Sequence, residues 1–224
     1  MKGFNWAGDL NGQKNPIIRK MVIPDATAIE KGEPIQFTQG TGVVVLDAPT
    51  DFDDPIAGVS MQEKEANDGA TELEVCVSPT AIYKYVAAKA YTLTGGSTTT
   101  AVDSSLNPQT DSFWKGGAIK IISCAADSSL NGRIVEISDS TGSTGTLTLA
   151  ETLPAALASG DTIYLVPGTY AEGYTGYDLA SDAMHPDYDA VGGASLQFLY
   201  SNTKTMESYW RFVLHEYANH PDAL

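Results

Sequence analysis

The chain has 224 residues, and its 28 acidic side chains outnumber its 13 basic ones, which gives a formal net charge of −15 at pH 7. Such a surface repels nucleic-acid phosphates, no apolar run approaches the roughly 18 residues of a membrane span, and the N-terminus lacks the apolar core of a signal peptide. We therefore expect a soluble protein, made in the cytoplasm, that binds neither nucleic acid nor membrane.

Residues 1–24 predict an extended arm, because glycines and prolines interrupt any regular period there. Within the first 20 residues, four basic side chains accompany one acidic side chain, Asp9, so the segment has a local excess of +3 on an acidic chain. Its aromatic residues Phe4 and Trp6 have no core of their own nearby and need a surface to lie against. A strand that completes the protein's own barrel fits the same residues equally well.

Residues 25–90 predict a small β-barrel, closed or nearly closed. Apolar and polar residues alternate over Thr71–Val77, which is how a strand buries one face and exposes the other. The turn at Asn67–Gly69 precedes this strand, and two further strands are predicted at 30–37 and 42–46. This region has the pattern of a sheet and contains no recognisable reactive group.

The two cysteines, Cys76 and Cys124, define no disulfide framework. Cys76 lies inside the alternating strand between Val75 and Val77, where a cysteine behaves as a small apolar residue. We expect both cysteines to be buried or half-buried and not to form a disulfide.

Residues 91–170 predict a second β module, in which short strands are separated by clusters of turn residues. Residues 94–111 are rich in Gly, Ser, Thr, Asn and Asp, which favour turns. The pentapeptide DSSLN occurs at 103–107 and again at 127–131, and both copies are expected to form the same kind of turn. The predicted strands are 118–122, 133–137, 146–149 and 162–166.

Residues 171–224 form a tyrosine-rich C-terminal segment. Two apolar runs, 194–200 and 208–217, flank a polar linker, and alternation within both runs predicts a hairpin that packs on the domain or on a neighbouring subunit. Residues 208–218 also fit three turns of helix. The tyrosines suit a contact surface or a carbohydrate-facing site as well as an ordinary sheet edge.

No constellation in the sequence indicates catalysis, a cofactor or a metal. His215 and His220 are five residues apart, whereas the zinc-protease helix requires a spacing of four. The acidic residues of two loops lack the spacing of a calcium loop and are interpreted as solvated. These acidic residues are Asp51, Asp53 and Asp54 in the first loop and Asp178, Asp182, Asp187 and Asp189 in the second.

Three stretches of residues 25–90 carry a resemblance to a known family. They are IEKGEPIQF at 29–37, GTGVVVLDAP at 40–49, and residues 53–84, in which a PIAGV turn is followed by an acidic DG turn before an EV strand. These stretches resemble the small β-barrel decoration proteins of tailed bacteriophages, also called cement or head auxiliary proteins. Residues 112–168, with their GDT-led last strand, resemble a β module common in phage virion proteins.

The resemblance implies a structural protein, not an enzyme, on the outside of an assembled capsid. It implies binding to the major capsid protein, often as a homotrimer at sites of local threefold symmetry, with a tulip-like barrel as the fold. The alternatives are a head-fibre or tail component, or a carbohydrate-binding module or polysaccharide hydrolase. The candidate capsid contacts are Phe4, Trp6, Lys14, Ile17, Ile18, Arg19 and Lys20, and the candidate subunit contacts are Phe198, Tyr200, Trp210 and Phe212.

Overall fold

The computed structural model describes residues 4–38, 42–45, 56–87, 89–106, 111–168, 174–178, 185–187 and 196–212. Over these ranges the chain forms β-strands and three short 3-10 turns, so the predicted all-β fold class is confirmed. None of the helical turns in these ranges is long and apolar enough to cross a membrane. The strands, numbered along the chain, are β1 (Asn5–Asp9), β2 (Ile18–Val22), β3 (Pro34–Thr38), β4 (Gly42–Val45), β5 (Ile56–Ser60), β6 (Glu72–Cys76), β7 (Ala81–Val86), β8 (Tyr91–Thr92), β9 (Gly95–Gly96), β10 (Thr100–Val102), β11 (Ala118–Ser123), β12 (Ile134–Thr141), β13 (Thr146–Leu149), β14 (Thr162–Val166), β15 (Tyr174–Asp178), β16 (His185–Asp187), β17 (Leu196–Asn202) and β18 (Glu207–Phe212).

The chain divides into two compact units. Unit 1 consists of Met1–Tyr85, Tyr174–Gln197 and Tyr209–Leu224, and unit 2 consists of Val86–Gly173 and Phe198–Ser208. Unit 1 is therefore assembled from three separate stretches of chain. Most of unit 2 is one continuous stretch, which contains the residues predicted as the second β module.

A five-stranded sheet in unit 1 has the order β2-β6-β5-β3-β4, with antiparallel neighbours. The sheet curls into a half-barrel, because its first and last strands approach each other to a Cα separation below 8 Å without pairing. The alternation predicted for β6 is confirmed, since Leu73 and Val75 are buried and Glu72 is exposed. The inner face holds the buried cluster Met21, Ile23, Ile29, Ile35, Ala57, Leu73, Val75 and Val77.

Over residues 4–24, the N-terminal segment is part of this fold, which agrees with the alternative of a strand of the protein's own sheet and not with an extended arm. β1 pairs with β7, and β2 pairs with β6. Phe4 is 1% exposed, and its N–H donates to the carbonyl of Gly32. Gly32 has a φ of +87°, and a Cβ added there would lie 2.4 Å from the Phe4 carbonyl oxygen. Glycine is therefore required where the N-terminal segment crosses this turn.

An aromatic cluster closes the core of unit 1 beside β1 and β7. The ring of Phe4 packs edge-on against Phe212 at a centroid distance of 4.9 Å and lies 5.7 Å from Tyr85. Tyr83 packs against Phe212 at 5.4 Å. Aromatic pairs of this kind stabilise beyond the area that they bury, so the cluster joins the beginning of the chain to its last described strand.

The predicted C-terminal hairpin is confirmed over residues 196–212. β17 and β18 are neighbouring strands, and the helix considered for 208–218 is not formed over 207–212. On β18 the residues Ser208, Trp210 and Phe212 are buried, whereas the alternate residues are half-buried. The apolar residues at every second position of the sequence thus form the buried face of a strand.

Unit 2 contains a sheet that closes on itself. Its order is β8-β14-β11-β12-β13-β10-β9, and the first and last strands are consecutive parts of the segment 91–96. Leu93 exchanges backbone hydrogen bonds with the 160–161 turn, and Thr94 donates to the carbonyl of Val102. A single stretch of chain therefore joins the two ends of the sheet into a small barrel. The most buried residues of this barrel include Leu93, Ala101, Ile119, Ile121, Val135, Leu147 and Ile163.

Carboxylates fix the turns of this barrel. Over residues 103–106 and 127–130, both copies of DSSLN form a 3-10 turn in which the Asp carboxylate accepts from the N–H two residues later at 2.9 Å, so the expectation that they form the same turn is confirmed. Asp161 is 1% exposed and accepts from the N–H groups of Ala125 and Ala158 at 2.8 and 2.9 Å. Each carboxylate satisfies loop N–H groups that have no partner in the sheet.

Candidate binding surface

The second strand presents apolar side chains to solvent. Along β2, Met21 points into the core of unit 1, and the alternate residues Ile18, Lys20 and Val22 are exposed. Val22 is 64% exposed, and both Ile18 and its neighbour Ile17 are 45% exposed. We call Ile17, Ile18, Lys20 and Val22 the β2 surface. Exposed apolar residues that cluster on one strand, and are not scattered singly, indicate a place of contact.

The backbone of β2 is also open on one side. Ile17 accepts from the N–H of Val77, and the N–H of Ile23 donates to Thr71, so the odd-numbered residues of β2 direct their backbone groups at β6. In an antiparallel pair the residues between them direct their N–H and C=O groups away from the partner strand. Within the described part of the chain, the backbone groups of 18, 20 and 22 thus point away from β6, at the edge of a sheet whose other edge strand, β4, approaches without pairing.

Lys20 gives the β2 surface a positive charge beside two acidic residues of β6. Its ammonium lies 3.6 Å from a carboxylate oxygen of Glu72, and both side chains are more than half exposed. An exposed pair of this kind contributes little to stability. A polar groove of about 320 Å³ adjoins it, lined by Lys20, Gln62, Ala70, Thr71, Glu72, Leu73 and Glu74.

The structure separates the predicted capsid contacts into three groups. Phe4 is buried in the aromatic cluster of unit 1, so it is corrected from a contact residue to a core residue. Trp6 on β1 and Arg19 on β2 are half-buried. The remaining four lie exposed on or just before β2, namely Lys14, Ile17, Ile18 and Lys20.

Sequence reasoning missed two exposed apolar residues of the same segment, Leu10 and Val22. Val22 had a usable signal, because the alternation that buries Met21 exposes both of its neighbours. Leu10 had none, since it follows β1 in a turn where no periodicity applies.

The predicted subunit contacts also fall into buried residues and residues that are at least partly exposed. Trp210 is 0% exposed and Phe212 is 2% exposed, both within the protein's own core, so they are corrected to core residues. Phe198 is half-buried, and Tyr200 is 52% exposed. The alternation of the run predicted a strand but did not show which of its faces is covered by the same chain.

A buried lysine, which the sequence did not single out, holds the loop that borders the groove. The Lys64 ammonium donates to the carbonyls of Asp25, Thr27 and Glu65 at 2.8 to 3.1 Å. It also lies 3.3 Å from a carboxylate oxygen of Asp68 and 3.7 Å from one of Asp25. A hydrogen bond from the Ala70 N–H, with the nearby ammonium, lowers the pKa of Asp68. Three carbonyls and two carboxylates thus surround one cation, which fixes residues 61–70 against 25–29.

A second buried polar group anchors the end of β1. The Asp9 carboxylate accepts from the N–H of Asn11 and from the hydroxyls of Ser78 and Thr80, at 2.8 to 2.9 Å. Burial acts to raise the pKa of Asp9, but these hydrogen bonds outweigh it and lower the pKa. The turn after β1 is therefore held in place, next to the exposed Leu10.

Both cysteines are buried and free, as the sequence predicted. Burial raises the pKa of the Cys76 thiol and holds the pKa of its neighbour Tyr83 well above the usual value. A thiol that stays protonated inside a core is a poor nucleophile. Cys76 therefore acts as a packing residue of β6.

Within the described ranges, no group of three or more His, Cys, Asp or Glu side chains is placed to hold a metal ion. His215, His220 and the acidic residues 51–54 lie outside those ranges, as do Asp182 and Asp189. For Asp178 and Asp187, which lie on β15 and β16, the structure describes the backbone alone. The β2 surface is thus the candidate site that the described residues define best.

Comparison with known proteins identified no relative. No protein-family model, curated protein or solved structure matches the chain. The interpretation of the β2 surface therefore depends on the residues of this chain.

Proposed function

We propose that this protein is a structural component of a phage virion that binds the outer surface of the assembled capsid and stabilises or decorates it. The observation that carries the proposal is the β2 surface, where apolar residues and a lysine are exposed together on a chain of net charge −15. The resemblance of residues 29–37, 40–49 and 53–84 to phage decoration proteins supports the same function. The partner is the major capsid protein, and the protein reaches the capsid exterior from the host cytoplasm.

The physical chemistry of the β2 surface suits a lasting contact with a large particle. Full burial of an isoleucine or valine side chain contributes about 1.5–3 kcal/mol, and Ile17, Ile18 and Val22 already lie on an ordered strand or beside it. Less conformational entropy is therefore lost on binding than for a free arm. Lys14 and Lys20 would mainly raise the association rate with an acidic patch of the capsid and make that rate sensitive to salt.

The acidic remainder of the chain suits the exterior of a particle. Residues 134–224 contain 12 acidic and 2 basic side chains. Once β2 is covered, the surface left in contact with solvent is strongly negative, and like charges keep decorated particles apart. We propose self-association as a homotrimer on the capsid, with Tyr200 and Phe198 as the remaining candidate contacts between subunits.

Co-sedimentation with capsids that lack the protein tests the proposal. Wild-type protein should bind capsids of its own phage saturably. Val22→Asp should bind about tenfold more weakly or worse, because it places a charge where an apolar side chain is buried. Val86→Asp is the matched control, since Val86 is an exposed valine of another strand, at 43% exposure, and should leave binding unchanged. Wild-type protein that stays in the supernatant at every concentration would overturn the proposal.

A further inference from the structure

We infer that Asn11 is a site of spontaneous deamidation in the folded protein, and that the structure protects Asn131 from the same reaction. The inference does not depend on the proposed function. It comes from a matched pair within the chain, because the tripeptide Leu-Asn-Gly occurs twice, at 10–12 and at 130–132. The two copies share the same reacting groups, so a difference in their reactivity reflects the structure around each copy.

The reaction joins an asparagine side chain to the backbone nitrogen of the next residue. The nitrogen of Gly12 attacks Cγ of Asn11, the new N–Cγ bond closes a five-membered imide ring, and the Cγ–Nδ2 bond breaks. The departing amino group takes up the proton that the backbone nitrogen loses, and it leaves as ammonia. Water then opens the ring to aspartate or isoaspartate. Glycine favours the attack, because no Cβ obstructs the close approach of its backbone.

The first copy lies in an exposed turn that follows β1. Leu10 is 50% exposed, and Asn11 and Gly12 are exposed as well. The Gly12 N–H donates to the carbonyl of Asp9 at 3.0 Å, within the same turn. The side-chain amide of Asn11 donates to the Thr80 hydroxyl at 3.4 Å, a long and exposed hydrogen bond. Water can replace both partners, so ring closure requires a local opening of one surface turn.

The buried carboxylate of Asp9 does not prevent this opening. It accepts from the N–H of Asn11 at 2.8 Å and from the hydroxyls of Ser78 and Thr80. These hydrogen bonds fix the main chain up to the nitrogen of Asn11. The ring closes on the other side of the Asn11 Cα, between the side chain and Gly12, where the torsions χ1 and ψ can rotate once the Gly12 N–H is released.

The second copy is held at both of the reacting groups. Leu130 is 1% exposed, so this copy is anchored in the barrel of unit 2. The side-chain oxygen of Asn131 accepts from the N–H of Cys124 at 2.9 Å, and the Gly132 N–H donates to the carbonyl of Ile121 at 2.7 Å. Ring closure has to break both of these hydrogen bonds to β11 and the residue that follows it. We expect them to slow the reaction by about tenfold or more relative to the first copy.

Deamidation of Asn11 changes the surroundings of Asp9. The product places a second carboxylate next to that of Asp9, and the two like charges repel each other. The new carboxylate also cannot donate to the Thr80 hydroxyl, which itself donates to Asp9 at 2.9 Å. We therefore expect the turn that carries the exposed Leu10 to be held less firmly after the reaction.

Peptide mapping of the folded protein, incubated at mildly alkaline pH, tests the inference. Trypsin releases the first copy in peptide 3–14 and the second in peptide 121–133, and fragment spectra assign the modified residue. We expect Asn11 to deamidate at least about tenfold faster than Asn131. In urea the two rates should become similar. Similar rates in the folded protein would overturn the inference, as would a difference that persists unchanged in urea.

Isoelectric focusing of two variants provides a second measurement. Wild-type protein should develop a band with one more negative charge during incubation. Asn11→Gln should not, because glutamine would have to close a six-membered ring, whereas the matched control Asn131→Gln should behave as wild type. If Asn11→Gln develops the band as fast as wild type, another residue reacts and the inference is wrong.

The effect of the product on the turn is tested with Asn11→Asp. The N–H of Leu10 donates to the carbonyl of Thr80 at 2.9 Å, and its amide hydrogen should exchange faster in this variant than in wild type. Unchanged exchange at Leu10 would overturn the predicted loosening of the turn.

Discussion

Unit 1 and unit 2 differ in whether the two edges of a sheet are joined. In unit 2 one segment, 91–96, pairs with both ends of the sheet, so the barrel closes. In unit 1 the five-stranded sheet curls but stays open, and β2 lies at its edge. An edge strand that stays unpaired keeps one side accessible to other groups. The comparison teaches that, among the described residues, the exposed apolar side chains of the β2 surface lie on the edge strand of the sheet that does not close.

The two units also differ in how far along the chain their contacts reach. In unit 2 the strands of the barrel follow one another between residues 91 and 166. The pairing that closes this barrel joins Tyr91 to Ile163, whereas in unit 1 Phe4 packs against Phe212, near the other end of the chain. Contacts between distant segments cost more loop-closure entropy and form more slowly. We therefore expect unit 2 to fold first and unit 1 to be the unit that single substitutions perturb most.

The largest effect is expected for Phe4→Ala, which removes an aromatic ring from the core of unit 1. Deleting a buried phenylalanine costs about 3–5 kcal/mol, and Phe4 contacts both Tyr85 and Phe212. Amide hydrogen exchange should become faster in unit 1 and stay unchanged in unit 2. This measurement distinguishes the two units, whereas a single unfolding midpoint for the whole chain does not.

Leu10→Ala is the control for Phe4→Ala, because Leu10 is 50% exposed in the same segment. It should change stability by no more than about 0.5 kcal/mol. If Phe4→Ala instead leaves unit 1 protected and weakens capsid binding, then Phe4 is the contact residue first predicted, and its assignment to the core is wrong.

Periodicity allowed much of the fold to be predicted from the sequence. Alternation located β6 and the hairpin of β17 and β18, and the repeated DSSLN located two equivalent turns. These are local features, in which each residue's environment follows from its near neighbours in the chain.

Features that depend on distant segments were not predictable. Nothing around Phe4 indicates that its partner is Phe212, and nothing in the segment EKEAND distinguishes Lys64 from a solvated lysine. For the candidate site, the sequence indicated the basic and apolar residues near β2 but not that β2 lies at the edge of its sheet. That position depends on the order of the strands in the sheet, which alternation alone does not determine.

A matched pair of glycines compares the two units directly. Gly32 in unit 1 and Gly132 in unit 2 both have a φ of +87°, but an added Cβ clashes with the Phe4 backbone at Gly32 and meets nothing within 4 Å at Gly132. We expect Gly132→Ala to cost about 1–2 kcal/mol, from backbone strain alone. Gly32→Ala should cost about 2–4 kcal/mol, because the clash adds to the same strain.

Chemical denaturation followed by a probe in each unit measures both effects. Equal losses of unfolding free energy for Gly32→Ala and Gly132→Ala would mean that the N-terminal segment moves away from the added Cβ at Gly32 at little cost. In that case unit 1 is less tightly assembled than the packing of Phe4 implies.

The last of these effects concerns Lys64, which holds the loop beside the groove in unit 1. Lys64→Met keeps most of the apolar stem but leaves three carbonyls and the carboxylates of Asp25 and Asp68 without their cation. Breaking a buried pair costs up to about 3–5 kcal/mol. Because both carboxylates are partly exposed and can be solvated, we expect a loss of about 2–3 kcal/mol.

Lys20→Met is the matched control for this variant, since the Lys20 to Glu72 pair is exposed on both sides. Its removal should change stability by no more than about 0.5 kcal/mol, while it weakens capsid binding through the loss of the Lys20 charge. Lys64→Met should do the reverse, with faster amide exchange in residues 61–70 and a smaller change in binding. If the two variants destabilise unit 1 equally, the Lys64 ammonium is already solvated and the loop is held by the hydrogen bonds of its backbone to Ile29 and Asp25.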